Sequence, residues 1–259
     1  MVTATFRFHG ELNAFLPRAR RAGEFALPCA RAATTKHMIE ALGVPHTEVA
    51  RVLVNGEPAG LDRMLADGDR VAVYPTCDPF EPSPSAQAPQ APRFVADAHL
   101  GGLARLLRMA GFDTLYDNAY ADEAIAAIAA ADARVLLTRD RELLKRRTVE
   151  HGCYLHAIRP EAQLRELYRR LGLAPLARPF SLCLHCNLPL RPSPKSEVLA
   201  RLPESVRLQH DEFTTCDRCG RVYWKGTHHR RMAAMLEGVA PAGAPAAVES
   251  TAPPQPDGC

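Results

Sequence analysis

The sequence predicts a parallel-sheet α/β domain, preceded by a compact α+β domain and followed by a cysteine-bearing module of strands and turns. Three observations carry this. From residue 93 to 173, short apolar strands alternate with helical stretches, the order that builds a parallel sheet with helices on both faces. Residues 1–76 run instead as strand, loop, helix, strand, hairpin-like turn, strand. Beyond Pro175–Pro179 the helical text gives way to two CxxC pairs.

The 259 residues are enough for two or three small domains. A hydrophobic content of 47% leaves ample material for packed cores. Two composition shifts complete the division. Residues 77–92 are rich in Pro, Ala, Ser and Gln and read as a linker, and residues 238–259 are similar and read as a disordered tail. The expected units are therefore 1–76, the linker 77–92, 93–175, 176–237, and the tail 238–259. No repeat of period ~20–50 residues is present.

In the first unit, Thr3 to Phe8 alternates as a strand should, and Thr34 to Leu42 reads as a short helix closed by Gly43. Val52-Leu53-Val54 precedes an Asn55-Gly56 turn, and Asp67-Gly68 leads into a last strand through Tyr74. This order fits a β-grasp fold. Val54-Asn55-Gly56-Glu57 and Asp67-Gly68-Asp69-Arg70-Val71 resemble the bacterial ubiquitin-like sulfur carriers of thiamine and molybdopterin synthesis. Those carriers end in a free Gly-Gly, whereas Tyr74-Pro75-Thr76-Cys77 runs into the linker. Sulfur carriage is therefore not expected. The domain is expected to bind a protein partner or RNA, or to stabilise its neighbour.

In the second unit, Arg93 to Asp97 reads as a strand. Leu100, Leu103, Leu106, Leu107 and Ala110 then form one apolar helical face stopped by Gly111. Phe112–Tyr116 is the next strand. Asp122 opens a helix over Ile125 and Ile128, and Val135–Thr138 is a buried strand. A basic helix from Arg141 to His151, a strand from Tyr154 to Ile158 and a helix from Pro160 to Leu171 follow.

Ligands of open α/β sheets bind beyond the carboxyl ends of the strands. Asp97 ends the first strand there, Asp140 follows Val135–Thr138, and Asp122 starts the helix that leads into that strand. Clustered carboxylates repel one another, and a hard divalent ion such as Mg²⁺ or Mn²⁺ resolves the conflict. Such an ion can activate water against a phosphodiester. Taken alone, each acid has an ordinary alternative as a helix cap; their coincidence at one edge makes the site. Asp117 and Glu123 are candidate additional acids, and Thr138 is a candidate hydrogen-bonding partner of a metal-bound water or a carboxylate.

Asp97-Ala98-His99-Leu100-Gly101-Gly102-Leu103-Ala104-Arg105-Leu106-Leu107-Arg108-Met109-Ala110-Gly111-Phe112-Asp113 and Leu136-Leu137-Thr138-Arg139-Asp140-Arg141-Glu142-Leu143 resemble the Mut-seven C-terminal RNase domain, a branch of the PIN superfamily. The resemblance extends over about residues 1–235. That branch commonly carries a zinc ribbon behind the nuclease and sometimes a ubiquitin-like domain before it. It implies a PIN-like fold and assigns Asp97, Asp122 and Asp140 to the PIN acids. One departure stands: many PIN nucleases carry another acid on the helix after the first strand, and no Asp or Glu occurs from Ala98 to Phe112.

Cys183-Leu184-His185-Cys186 and Cys216-Asp217-Arg218-Cys219 are two knuckles separated by 29 residues. Two such turns complete a closed, tetrahedral, structural zinc site. The long spacing predicts an insert, with a helix near Ser196–Leu202. The other cysteines, Cys29, Cys77, Cys153 and Cys259, are scattered and read as small hydrophobes or free thiols.

A formal net charge of +3 does not mark a nucleic-acid binder. Local patches at Arg139–Arg147 and Lys225–Arg231 can neutralise phosphate. Arg105, Arg108 and Arg139 near the acids, with Trp224 and Lys225 beside the ribbon, are the candidate RNA contacts. No apolar run approaches the ~18 residues of a membrane span, and the first residues lack a signal-peptide layout. The expected location is cytoplasmic, with no membrane partner. The expected activity is a Mg- or Mn-dependent endoribonuclease directed at single strands. The alternative is a non-catalytic RNA-binding adaptor built on the zinc ribbon.

Overall fold

The computed structural model describes residues 1–30, 33–75 and 91–239. The expected linker between 77 and 90 and the tail from 240 to 259 lie outside the described residues.

The first domain is a β-grasp. Its elements are β1 (Val2–Phe8), β2 (Phe25–Cys29), α1 (Thr35–Ala41), β3 (Val49–Val54), β4 (Glu57–Ala59) and β5 (Arg70–Pro75). They form one sheet of order β2-β1-β5-β3-β4, with β1 and β5 parallel at its centre. Alternation buries Ala4, Phe6 and Phe8 from β1 against Val71 and Val73 from β5 and Met38 and Ile39 from α1. Thr34 caps α1 by accepting from the His37 amide at 3.1 Å. The sequence leaves Phe25–Cys29 in a loop. It forms an edge strand on β1 instead, where a proline such as Pro28 is tolerated.

The second domain is a three-layer α/β unit. β6 (Phe94–Ala96), α2 (Gly101–Met109), β7 (Thr114–Tyr116), α3 (Asp122–Ala131), β8 (Val135–Thr138), α4 (Arg141–Leu144), β9 (Gly152–Tyr154) and α5 (Pro160–Leu171) follow in order. Four parallel strands stand as β7-β6-β8-β9. Phe94, Ala96 and Leu137 face α2 and α5, while Val95 and Leu136 face α3 and α4. Two elements differ from expectation. The basic helix stops after one turn, where Lys145, Arg146 and Arg147 stand side by side and β-branched Thr148 and Val149 follow. The last strand begins at Gly152 and ends at Tyr154 rather than spanning 154–158.

The cysteine module contains β10 (Arg191–Ser193), α6 (Lys195–Val198), α7 (Glu204–Gln209), β11 (Phe213–Thr215), β12 (Val222–Trp224) and α8 (Thr227–Glu237). β10, β11 and β12 make an antiparallel sheet. The insert between the knuckles holds the expected helix as α6, and α7 besides. The module shares the core of the α/β domain: Leu236 and Val239 are buried with Leu107, Phe112 and Tyr168. Its lead-in segment at Arg178 crosses the end of α2 at Gly111. There φ is +91° and a Cβ would lie 2.1 Å from the Arg178 carbonyl oxygen, so only glycine fits.

The β-grasp domain packs on the edge strand β9. Glu48 accepts from the Tyr154 amide at 2.6 Å and from the Arg170 guanidinium at 2.6 Å, with Arg170 Nε also 3.0 Å from Glu11. The Glu48 and Arg170 side chains are only 1% and 3% exposed. Burial pushes the Glu48 carboxyl above its ordinary range, against the pull of Arg170. Arg170→Met leaves these carboxylates facing one another without their cation. It is expected to cost about 3–5 kcal/mol of stability by urea unfolding. A carboxyl raised in the folded state favours folding at low pH and loses that contribution as pH rises through its folded pKa. The deficit of Arg170→Met is therefore expected to be smaller at pH 5 than at pH 8.

Candidate carboxylate rim and cysteine cluster

The strand order fixes where the acids stand. From β6 the chain crosses through α2 to β7 on one side, and then through α3 to β8 on the other. The order reverses between β6 and β8, which makes their carboxyl ends the switch point of the sheet. Asp97 follows β6 and Asp140 follows β8, so both leave the sheet at that crevice.

Thr138, fully buried at the end of β8, ties the two together. Its hydroxyl donates to Asp97 Oδ2 at 2.6 Å and accepts from the Asp140 amide at 2.9 Å. The Asp97 amide donates to the Leu137 carbonyl at 3.0 Å. Asp140 Oδ1 caps α4 by accepting from the Glu142 amide at 2.8 Å. Each carboxylate therefore has one oxygen fixed by the fold. Among the described residues, Asp97 Oδ1 has only His99 Nδ1 near it, at 3.5 Å, and Asp140 Oδ2 has no partner. Two adjacent acids, each with one oxygen held and one open, can bind a hard cation.

The other expected acids stand differently. Asp122 and Glu123 lie in the first turn of α3, where Arg146 approaches Asp122 at 3.5 Å and Glu123 at 3.0 Å. Hydrogen bonds with its own backbone and Arg146 hold the Glu123 carboxyl below its ordinary range. Asp117 is exposed after β7 and accepts from the Ala119 amide at 2.9 Å. Asp97, Asp122 and Asp140 do not all have ligand oxygens within 4.8 Å of one another. Among the described residues, only the four cysteines form such a cluster.

That cluster is Cys183, Cys186, Cys216 and Cys219, with all four sulfurs within 4.8 Å of one another. The Sγ atoms of Cys183 and Cys219 are 3.7 Å apart. A tetrahedral zinc with Zn–S of about 2.3 Å requires roughly 3.8 Å along each edge, so the residues fit such an ion. Four thiols this close cannot all ionise without a cation. Desolvation raises Cys219, but hydrogen bonds from Arg221 outweigh it and bring it down to about 6. Desolvation and its cysteine neighbours push Cys186 up to about 12. The Tyr223 hydroxyl lies 3.2 Å from Cys183 Sγ, which commits that ring to the cluster.

Arg108 corrects an expectation. Periodicity placed it away from the leucines and free to meet RNA, but it is 8% exposed. Its guanidinium donates to the carbonyls of Thr114, Leu184 and His185. It is the strut between α2 and the first knuckle. Asn187 joins it by accepting from the Thr114 amide at 2.9 Å and donating to Asp113. Asp113 also receives two bonds from Arg134 at 2.9 and 3.0 Å. Neither Asn187 nor Arg134 carries a sequence signal for its role, because both act between distant segments.

Arg105 and Arg139 are exposed, and among the described residues neither forms an ion pair. Trp224 is half-buried against the small core of Val198, Leu202 and Phe213, and Lys225 pairs with Glu212 at 2.9 Å. The cysteine module joins the α/β domain at the end of α2 and the start of β7. That end lies a nine-residue helix, roughly 13 Å, from the carboxylate rim.

The family model described as the Mut7-C RNAse domain matches residues 92–236. The model described as Mut7-C ubiquitin matches residues 1–81. No curated protein matches the chain. Among solved structures, H. volcanii small archaeal modifier protein 1 is 21% identical, covering 29% of this chain and 98% of that one at a TM-score of 0.24. SAMP1 from Haloferax volcanii is 19% identical, covering 32% and 99%, at 0.24. Among the described residues, no helix is long and apolar enough to cross a membrane.

Proposed function

Because the chain belongs to the Mut7-C RNAse domain family, we propose that it is a metal-dependent endoribonuclease whose rim at Asp97 and Asp140 binds Mg²⁺ or Mn²⁺. The observation that carries this reading is the pair of acids bound through one buried Thr138, each with an oxygen left open. When bound, the ion supplies a Lewis acid for the phosphodiester and lowers the pKa of the attacking water. The chain supplies the rest. Thr138 fixes the Asp97 carboxylate, and α4 fixes that of Asp140, so that the two open oxygens are in place before RNA arrives. Asp122 can join them once Arg146 releases it. Arg105 and Arg139, exposed and without an ion pair among the described residues, neutralise phosphates of the bound strand. Trp224 and Lys225 meet only a strand long enough to reach from the rim to the cysteine module. The four cysteines hold a structural Zn²⁺ in a ribbon. The protein acts in the cytoplasm.

A second reading is a non-catalytic RNA-binding adaptor. It is favoured by Arg146, which occupies the acids of α3, and by the lack of any acid from Ala98 to Phe112. The two readings part in one experiment. Labelled single- and double-stranded RNAs are incubated with zinc-loaded protein in Mn²⁺ or in EDTA. The nuclease reading expects cleavage of single strands in Mn²⁺, none in EDTA, and recovery when Mn²⁺ is restored. Binding without cleavage in Mn²⁺ favours the adaptor.

A further inference from the structure

The residue after Asp140 belongs to two domains at once. Arg141 is the first residue of α4, yet its side chain leaves the α/β domain and enters the β-grasp. Its Nη1 donates to the carbonyl of Phe15 at 3.2 Å. Phe15 ends a 3₁₀ helix, Gly10–Phe15, so the carbonyl is one of those a helix terminus leaves without an internal partner, and a cation there is favourable. The guanidinium lies 5.0 Å from the centre of the Phe15 ring and 5.6 Å from that of Tyr154. The two rings meet edge to face at 5.1 Å. Gly43, just beyond α1, closes the third side: a Cβ there would come within 3.6 Å of Nη1. Among the described residues, Arg141 forms no ion pair. A half-buried arginine with no carboxylate among the described residues is held here by one carbonyl and two ring faces, for which the planar guanidinium is better suited than an ammonium.

This placement bears on Asp140. α4 is a single turn of four residues, too short to hold its own direction. Asp140 Oδ1 is bound to the Glu142 amide of that turn. The direction of the turn therefore sets the direction of the carboxylate. Leu143 and Leu144 anchor it from below in the core. Arg141 anchors its first residue, and that anchor is made by Phe15 of the β-grasp domain together with Tyr154 of β9. The docking contacts around it prevent the anchor from drifting. His46 Nε2 lies 3.0 Å from the Val149 carbonyl, just beyond α4, and Glu48 seals the edge of β9.

We propose that the ubiquitin-like domain is a built-in positioning element of the nuclease, acting through Arg141 to orient the Asp140 carboxylate at the rim. The inference rests on the reading of Asp140 as a rim acid. It gives the domain an intramolecular role, and Arg141 that of a positioning residue outside the ligand set.

The test uses the full chain with Arg141→Ala, Arg141→Lys, Phe15→Ala and the double variant Phe15→Ala/Arg141→Ala. Three quantities are read on zinc-loaded protein: cleavage of a single-stranded RNA in Mn²⁺, affinity for the same RNA without added Mn²⁺, and amide hydrogen exchange at Asp140 and Glu142. Arg141→Ala is expected to lower kcat by about 10- to 100-fold, to leave RNA affinity within about two-fold, and to speed exchange at both amides. Arg141→Lys, which keeps the charge and a donor but loses the planar stack, is expected to recover only part of kcat. Phe15→Ala, made in the other domain, is expected to act through the same contact, so that combining it with Arg141→Ala adds little further loss. Wild-type cleavage and exchange in Arg141→Ala overturn the proposal and leave the nuclease reading standing. Full recovery by lysine reduces Arg141 to a charge and overturns it too. If the wild type cleaves nothing, the nuclease reading falls, and exchange alone decides: faster exchange at Asp140 and Glu142 in Arg141→Ala supports the positioning role, and unchanged exchange ends it.

Discussion

Asp97→Asn is expected to lower cleavage of single-stranded RNA by about 10³-fold while leaving the fold and RNA affinity intact. Asparagine is isosteric, and its carbonyl oxygen can still accept from the Thr138 hydroxyl that binds Asp97 Oδ2 at 2.6 Å. What it lacks is the negative oxygen on the open side. Metal assistance contributes several kcal/mol of transition-state stabilisation, and each 1.36 kcal/mol is a factor of ten in rate. An adaptor whose rim is inert predicts no functional change in this variant. The comparison is of single-turnover rates in saturating Mn²⁺. A rate within a few-fold of wild type removes Asp97 from the chemistry.

The second large effect is expected at the cysteine cluster. Cys183→Ser, or prolonged chelation, is expected to unfold the module and not merely to loosen it. Structural zinc contributes an apparent ~10–16 kcal/mol in small zinc-folded units, and the module's own core is limited mainly to Val198, Leu202 and Phe213. The damage does not stop at residue 176. Arg108 is buried with its donors on Leu184 and His185, and Leu236 and Val239 fill the core of the α/β domain. Loss of the knuckle leaves a buried guanidinium short of acceptors and opens that core. Metal analysis is expected to give one zinc per chain, and thermal unfolding of Cys183→Ser a first transition well below that of wild type. An unchanged melting profile in the serine variant contradicts a structural zinc.

The rim was legible in the sequence because its geometry is local. A strand that ends in aspartate delivers that acid to the carboxyl edge, and the pattern of strands and helices places two such edges together. Thr138 was within reach for the same reason, since it closes the strand that precedes Asp140. The parts that were not legible depend on segments far apart. Arg108 lies where helical periodicity puts a solvent-facing residue, but the knuckle at 183–186 covers that face. Asp122 starts α3 as expected, yet its neighbour Arg146 becomes visible only once the basic stretch stops being a helix after one turn. The docking of the β-grasp is the extreme case. Glu48 and Arg170 are separated by 122 positions, and neither sits in a motif. Buried charges reveal their partners only in three dimensions, because each is tolerated there only by virtue of the other. The edge strand β2 was hidden for a different reason: Pro28 argues against a strand until the position is known to be at a sheet margin.

Asp97 and Asp140 are expected to hold a divalent ion at the switch point of the sheet. Equilibrium binding of Mn²⁺ to zinc-loaded protein, followed by the electron paramagnetic resonance of free Mn²⁺ in wild type and in Asp140→Asn, measures it most directly. Mn²⁺ is expected to bind the wild type and to be released from the variant, with zinc retained in both. Equal Mn²⁺ binding by Asp140→Asn, or none by the wild type, contradicts it.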